Sequence, residues 1–301
     1  FPTRRSSDLP PMKEADPTIK IFIFEECYLF EKPHRRVIGG DLDLTGKDKN
    51  GNLMIDGISF HCYPGGRTRE HVVFYGPNNI RGQAEMLMEM MDFADKKHGR
   101  TGEHKLLWGL TEFNVTTGNP DREIAGIGNT SFLGGQFMAE IYGIGMEFGA
   151  FTMTPWCISE TDAISTDFGY LGPPRDFLPR SSYYHTQMMA DNMKGEFLPT
   201  ISSNSYVKTI ASKSDDEICV MILNRDKYNN FDFDLILNNE KRSNKPLAVH
   251  ADLGLDVEIE GSIPNQTTMM YVLSNSGEIK RQYTYGLTHN LKYQPPEVKG
   301  F

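Results

Sequence analysis

The sequence lacks three features that would each indicate a particular class of protein. No Cys-x-x-Cys motif is formed by its four cysteines, Cys27, Cys62, Cys157 and Cys219, which excludes a zinc knuckle or a thioredoxin-like centre and leaves the redox compartment open. Lysine and arginine form no basic stripe, and the net charge is -9, so we expect no nucleic-acid partner. No apolar run approaches the roughly 20 residues that a membrane span needs.

What is present is an ordinary globular composition. The chain has 301 residues, of which 39% are hydrophobic and 24% charged, enough for one large or two smaller domains. Residues 1–9 resemble the translation of a common sequencing-adapter oligonucleotide. We therefore expect that this segment is not protein sequence and that the true N-terminus lies upstream of it.

Residues 12–199 alternate short apolar runs with longer amphipathic stretches. Content of β-branched and aromatic residues predicts strands at 19–24, 56–61, 105–111 and 150–156, and helical spacing predicts helices at 78–99, 129–149 and 181–194. Alternation of this kind indicates βα units and a parallel sheet. Because a closed barrel needs eight strands, these four predict strands 5–8 of a (β/α)8 TIM barrel, the C-terminal half.

After Pro199 the pattern changes to short strands separated by polar turns. The predicted strands lie at 206–211, 218–223, 231–237, 247–251, 257–260 and 268–273. This spacing is typical of an all-β antiparallel sandwich. We therefore predict an α/β chain with the half-barrel at 10–198, the sandwich at 199–290 and a tail at 291–301.

Polar and aromatic residues end three consecutive predicted strands, where the catalytic groups of a βα barrel project. Glu112 ends the third strand, and a buried carboxylate there would need partners. His61 and Tyr63 end the second strand on one side. Trp156 ends the fourth and offers an apolar plate to a sugar ring. Each residue alone favours a structural role, but their coincidence at one end favours a site.

These residues also resemble the motifs of a known enzyme clan. Thr111-Glu112-Phe113-Asn114 is similar to the Thr-Glu-aromatic-Asn nucleophile motif of barrel strand seven in the large retaining-glycosidase clan of β-xylosidases, arabinofuranosidases and agarases. Phe60-His61-Cys62-Tyr63 resembles the strand-six His/Tyr pair of that clan, and Trp156 its strand-eight sugar platform. The resemblance covers roughly residues 12–290 and implies a TIM barrel followed by a β-sandwich.

The resemblance implies a retaining double displacement on a polysaccharide or oligosaccharide, with Glu112 as nucleophile and neither metal nor cofactor. In this clan an Asn-Glu pair at the end of strand four supplies the acid/base, but the sole Asn-Glu here, Asn239-Glu240, falls in the predicted sandwich. We therefore expect the acid/base upstream and this chain to be a nearly inactive fragment. The residues that we expect to bind substrate are His61, Tyr63, Asn114, Trp156, Glu25 and Glu160.

Two other interpretations stay open at this point. The chain could be a non-catalytic carbohydrate-binding relative that keeps the barrel as a sugar-stacking cleft. It could also be a structural β-sandwich module, in which case Trp156→Ala would not weaken sugar binding. The resemblance further implies a secreted or periplasmic protein, whereas the sugar, its linkage, endo or exo action and the oligomeric state depend on features that these motifs do not specify.

Overall fold

The computed structural model describes residues 9–116, 123–161, 166–238 and 242–301. Most of the predicted adapter segment, residues 1–8, and the pair Asn239-Glu240 therefore lie outside the described residues. The chain is a mixed α/β structure that divides into two compact units. The first unit comprises Phe1–Tyr63, Asn78–Phe113 and Phe148–Pro155, and the second comprises Pro64–Pro77, Asn114–Glu147 and Trp156–Phe301.

The described residues form the following regular elements. The helices are α1 (Leu9–Ala15), α2 (Glu31–Val37), α3 (Gly76–His98), α4 (Phe132–Glu147), α5 (Ser181–Asn192) and α6 (Leu287–Leu291). The strands are β1 (Phe22–Glu26), β2 (Gly57–Cys62), β3 (Leu107–Phe113), β4 (Thr152–Met153), β5 (Glu196–Leu198), β6 (Thr200–Ser202), β7 (Val207–Lys213), β8 (Glu217–Asn224), β9 (Phe231–Ile236), β10 (Leu247–Ala251), β11 (Glu258–Ile263), β12 (Thr267–Ser274), β13 (Ile279–Gly286) and β14 (Glu297–Gly300).

The first unit contains a four-stranded sheet in the order β1-β2-β3-β4, and every neighbouring pair is parallel. Parallel strands are buried on both faces and are therefore rich in apolar residues throughout. Ile58 and Phe60 of β2 are fully buried, and Phe60 stacks on Trp108 of β3 with 6.2 Å between ring centroids. The prediction of four parallel strands is confirmed, whereas their numbering as strands 5–8 of a closed barrel stays a prediction.

Two strands of this sheet differ in extent from the prediction. β1 begins at Phe22 because the N–H of Ile21 donates to the carboxylate of Asp56 at 2.7 Å, and the strand then continues to Glu26. β4 contains only two residues, and Pro155, which has no N–H, cannot extend its ladder. α3 follows the prediction, because its apolar residues Ile80 and Ala84 are fully buried.

The second unit contains a β-sandwich of a six-stranded sheet and a four-stranded sheet. Their orders are β14-β13-β12-β8-β7-β5 and β11-β9-β10-β6. Side chains of β8 alternate between two cores: Val220 and Ile222 pack with Phe233 of the second sheet, whereas Met221 packs with Met188 of α5. The larger sheet is therefore covered on one face by the second sheet and on the other by helices.

Two details of the predicted sandwich are wrong. β9 and β10 pair in parallel, not antiparallel, which residues 237–246 permit because they are too many for a tight hairpin. The predicted tail also contains β14, which pairs with β13. All four residues of β14 are exposed, so the strand has no alternation of apolar and polar residues from which it could be predicted. β5 pairs with β7, so the larger sheet includes residues before 199. The domain boundaries as such stay a prediction.

Candidate functional site

Glu112, the predicted nucleophile, lies near the C-terminal end of β3 in the first unit. The hydroxyl of Tyr63 donates a hydrogen bond to its Oε2 at 2.9 Å. The Glu112 side chain keeps 29% of its surface exposed, whereas Tyr63 is 9% exposed. The phenol thus fixes the position of a carboxylate that a small molecule can still reach. The hydroxyl of Tyr28 donates to the carbonyl oxygen of Tyr63 and thereby holds the backbone of Tyr63 in place.

The imidazole of His61 lies between two carboxylates. Its Nδ1 is 3.4 Å from Oε2 of Glu112, and its Nε2 is 2.7 Å from Oε2 of Glu25. The short contact orients the ring, and the longer one brings it to the edge of the predicted nucleophile. The structure therefore connects Glu25, His61, Glu112 and Tyr63 in one polar chain across three neighbouring strands.

The carboxylate of Glu25 is held by several donors. The hydroxyl of Ser59 donates to Oε1, and that of Thr111 donates to Oε2 at 2.9 Å. Partial burial alone would raise the pKa of Glu25, but the hydrogen bonds from Ser59, His61 and Thr111 outweigh it and lower the pKa. Glu25 is therefore ionised near neutral pH, and its half-exposed carboxylate is poorly suited to donate a proton.

The backbone at Glu25 departs from a regular strand. Phe24 pairs with Ser59 and Glu26 pairs with Phe60, so Glu25 is an extra residue in β1, a β-bulge. Phe24 and Glu25 both adopt positive φ, 84° and 85°, a region that residues other than glycine seldom occupy. Such conformations cost about 1–3 kcal/mol each and concentrate at functional sites.

Cys62, the last residue of β2, lies in the core next to His61 along the chain. It is fully buried, and Nε2 of Gln83 donates to its sulfur at 3.2 Å. Burial raises the pKa of Cys62 to about 12, so the thiol stays protonated near neutral pH. Oε1 of the same Gln83 accepts the backbone N–H of Leu29 at 2.9 Å, which ties the chain after β1 to α3.

The second unit contains the predicted sugar platform, Trp156, whose side chain is 45% exposed. Its Nε1 donates to Oε1 of Glu160 at 3.4 Å. Oε2 of Glu160 accepts bonds from the Thr166 hydroxyl at 3.1 Å and the Phe168 N–H at 2.8 Å. Glu160 was predicted to bind substrate, but both of its oxygens hold the loop that carries Trp156.

Asn114, also predicted to bind substrate, is fully buried, and its direct contact with a substrate stays a prediction. Its Nδ2 donates to the carbonyl oxygens of Trp156 at 2.6 Å and Phe168 at 3.1 Å. Its Oδ1 accepts the N–H of Val115 at 2.8 Å. The Asn114 side chain thus supplies hydrogen-bond partners to three backbone groups of this region.

Three further residues, Ser59, Thr111 and Tyr28, donate hydrogen bonds to predicted site residues but were not themselves predicted to have a role. The alternation of strand residues places Ser59 on the same side as His61, and a hydroxyl in an apolar strand is a usable signal. Thr111 belongs to the motif Thr111-Glu112-Phe113-Asn114, but its hydrogen bond to Glu25 depends on the β-bulge at Glu25. Tyr28 lies in a loop, where residue order does not show which neighbour its hydroxyl reaches.

This chain is similar to known proteins in its fold, and the similarity is to solved structures. No protein-family model matches the chain, and no curated protein matches it either. Solved structures with similar folds include an α-L-arabinofuranosidase from Thermotoga maritima in complex with arabinose, at 13% identity and a TM-score of 0.57 over 89% of this chain. Another is the family-51 α-L-arabinofuranosidase of Thermotoga petrophila, at 13% identity and 0.61 over 90%. A third is a family-44 xyloglucanase from Paenibacillus polymyxa, at 12% identity and 0.54 over 89%.

The matches extend over most of this chain but only part of each relative. The chain spans 60%, 61% and 59% of the three solved structures, respectively. Identities this low establish a shared glycoside-hydrolase fold and nothing finer. Within the described residues, no helix combines the length and apolar character needed to cross a membrane.

Proposed function

We propose that the chain is part of a retaining glycosidase and that Glu112 is its nucleophile. The observation that carries the proposal is the bonded chain of Tyr63, Glu112, His61 and Glu25 at the carboxyl ends of parallel strands. Catalytic groups of βα barrels project from this end. The shared fold with glycoside hydrolases supports the same reaction class, with a polysaccharide or oligosaccharide as substrate.

The reaction would proceed in two displacements. An oxygen of ionised Glu112 attacks the anomeric carbon, the bond from that carbon to the leaving oxygen breaks, and a second carboxyl group gives the leaving oxygen a proton. Water then attacks the same carbon, releases Glu112 and returns a proton to the second carboxylate. In retaining enzymes the two carboxyl groups lie about 5–5.5 Å apart. We expect the second group in the upstream part of the barrel.

Glu25 is not proposed as the second carboxyl group. A general acid must be protonated at the working pH, and the pKa of Glu25 is lowered by its three donors. Its position in β1 instead suits a supporting role. Held by Ser59 and Thr111, the charged carboxylate orients His61, which in turn lies beside Glu112. Glu25 and His61 would therefore position the nucleophile and bind substrate hydroxyl groups.

Trp156 would supply the apolar surface on which a sugar ring stacks. Its side chain is nearly half exposed although tryptophan is usually well buried, and Asn114 and Glu160 fix the backbone and the indole nitrogen of its segment. We also propose export from the cytoplasm, to the periplasm or the medium, on the family resemblance alone. The non-catalytic interpretation would keep sugar binding by Trp156 without any turnover.

The experiment uses glycosides whose leaving group needs no protonation. With 2,4-dinitrophenyl 2-deoxy-2-fluoro-glycosides of xylose, arabinose and galactose, dinitrophenolate departs unaided, so the first displacement tests Glu112 even without the second carboxyl group. We expect a burst of dinitrophenolate and a covalent sugar on the peptide that contains Glu112, identified by mass spectrometry. Glu112→Gln should abolish both while leaving sugar binding intact.

Glu103→Gln is the matched control, because this glutamate is exposed and lies outside the site. It should label like the unaltered chain. A sugar attached to Glu25 or Glu26 instead would reject the assignment of the nucleophile. Binding of these sugars without a burst would favour the non-catalytic carbohydrate-binding relative.

A further inference from the structure

A cavity of about 220 Å³ lies wholly within the second unit. It is lined by the segment before α5, which includes Arg180, and by Asn290 and Tyr293 in and after α6. None of its lining residues belongs to the bonded chain around Glu112. The mechanism proposed above makes no use of it.

An unpaired amide donor lines this cavity. Asn290 is only 4% exposed, and its Oδ1 accepts a hydrogen bond from the hydroxyl of Tyr285 at 3.1 Å. Its Nδ2 has no hydrogen-bond partner among the described residues. A buried amide without a partner is unfavourable, and such groups in native proteins are normally satisfied by water or a ligand. Asn290 therefore places an unsatisfied buried donor in the wall of the cavity.

The charges around the cavity favour a neutral ligand. Arg180 donates to both carboxylate oxygens of Asp167, at 2.7 and 3.1 Å, and to the carbonyl oxygen of Gly169 at 2.7 Å. The positive charge of Arg180 is therefore neutralised by the negative charge of Asp167. Asp176 adds a further carboxylate, of which Oδ1 already accepts the N–H of Leu178 at 3.3 Å. The lining thus carries a net negative charge, which repels anions. The carboxylate of Asp176 can accept hydrogen bonds from hydroxyl groups.

Apolar side chains complete the wall. Tyr293 is 60% exposed and Leu178 is 43% exposed, and both line the cavity. An exposed aromatic ring beside a few hydrogen-bonding groups is suited to the C–H face and the hydroxyl groups of a sugar. The volume is below the roughly 300–1,000 Å³ of pockets for drug-sized ligands, which limits the occupant to about one sugar ring.

We propose that this cavity is a carbohydrate subsite that holds one neutral monosaccharide unit, free or as part of a longer chain. Tyr293 stacks on the ring, Nδ2 of Asn290 donates to a ring or hydroxyl oxygen, and Asp176 accepts from a hydroxyl group. The proposal goes beyond the reaction at Glu112 and does not require Glu112 to be a nucleophile.

The test measures sugar binding by the full 301-residue chain that carries Glu112→Gln, so that no hydrolysis is involved. Xylose, arabinose, galactose and glucose are titrated by isothermal calorimetry and by saturation-transfer NMR, with glucuronate as the anionic comparison. Tyr293→Ala removes the stacking ring, and Tyr228→Ala removes an equally exposed tyrosine, 78% accessible, that does not line the cavity. Asn290→Asp keeps the acceptor for Tyr285 and removes the donor.

We expect saturable binding of at least one neutral sugar. Tyr293→Ala should raise its Kd about 2- to 10-fold, the range of an aromatic contact, and Asn290→Asp by a similar factor. Tyr228→Ala should leave the Kd unchanged. The absence of saturable binding, tighter binding of glucuronate, or a Kd that Tyr293→Ala does not alter would each overturn the proposal. If Asn290→Asp fails to fold, the exposed Tyr293 still decides the outcome.

Discussion

Asn114 connects three backbone groups around the segment that carries Trp156, and its removal should destabilise the second unit. Asn114→Ala deprives the carbonyl oxygens of Trp156 and Phe168 and the N–H of Val115 of their partner. The Phe168 carbonyl oxygen still accepts the N–H of Cys157 at 3.4 Å. Two groups, the partly buried Trp156 oxygen and the buried Val115 N–H, are therefore left unpaired.

Each unpaired buried group costs about 1–3 kcal/mol. Water that enters the space vacated by the amide recovers part of this, so we expect a loss of about 3 kcal/mol in the free energy of unfolding. For a unit of this size that corresponds to a decrease of roughly 6–12 °C in Tm. Asn114→Asp should cost at least as much, because its carboxylate would face two carbonyl oxygens in a buried position.

The assay combines thermal unfolding with acrylamide quenching of tryptophan fluorescence. The chain has two tryptophans, and because Trp108 is 1% exposed and Trp156 45%, the quenchable signal reports Trp156. Asn114→Ala should lower Tm and increase quenching, and Asn114→Asp should recover some stability in acid, where the new carboxyl group is protonated. Gln294→Ala, an exposed amide, is the control and should stay within about 0.5 kcal/mol. A Tm for Asn114→Ala equal to that of the control would refute the reasoning.

Two further predictions concern the site around Glu112. Tyr63→Phe removes a hydrogen bond to a charged group, worth about 1.5–3 kcal/mol, and should slow the dinitrophenolate burst about 10- to 100-fold without unfolding the chain; an unchanged burst would contradict it. Because the pKa of Glu25 is lowered in the folded chain, its charge stabilises the fold above the ordinary pKa of about 4.3, and this contribution is lost as pH falls through the lowered value. Glu25→Gln should therefore reduce Tm near neutral pH and weaken its fall in acid; parallel Tm profiles would count against it.

The parallel sheet and the contact between Glu112 and Tyr63 could be predicted from the sequence for a shared physical reason. A strand buried on both faces needs a continuous apolar run, so its end is visible where polar residues begin. Glu112 and Tyr63 each stand at such an end, and neighbouring parallel strands bring their ends to one edge of the sheet. The strand ends therefore predict that the two residues are neighbours, and the hydroxyl and the carboxylate do lie within hydrogen-bonding distance.

The hydrogen bonds of Asn114 and Glu160 to the loop that carries Trp156 could not be predicted from the sequence. An asparagine after a strand and a glutamate in a polar segment have the same appearance whether they face a ligand or a carbonyl oxygen. Only the path of the loop shows that Asn114 is buried and that Glu160 accepts two donors besides Trp156. The edge strand β14 was missed for a different reason, since all of its side chains face solvent.

The β-bulges explain why the polar chain around Glu112 exists at all. On β3, Glu112 pairs with His61, and Thr111 is the extra residue that precedes it. Shifting a strand by one residue moves each side chain to the opposite face. Without the extra residue, Thr111 would stand opposite His61, and Glu112 would pair with Cys62 on the other face. The two extra residues, Glu25 and Thr111, are also bonded to each other. The two irregularities thus bring the carboxylates of Glu25 and Glu112 to the same imidazole, an arrangement that no run of regular parallel pairing through these residues would produce.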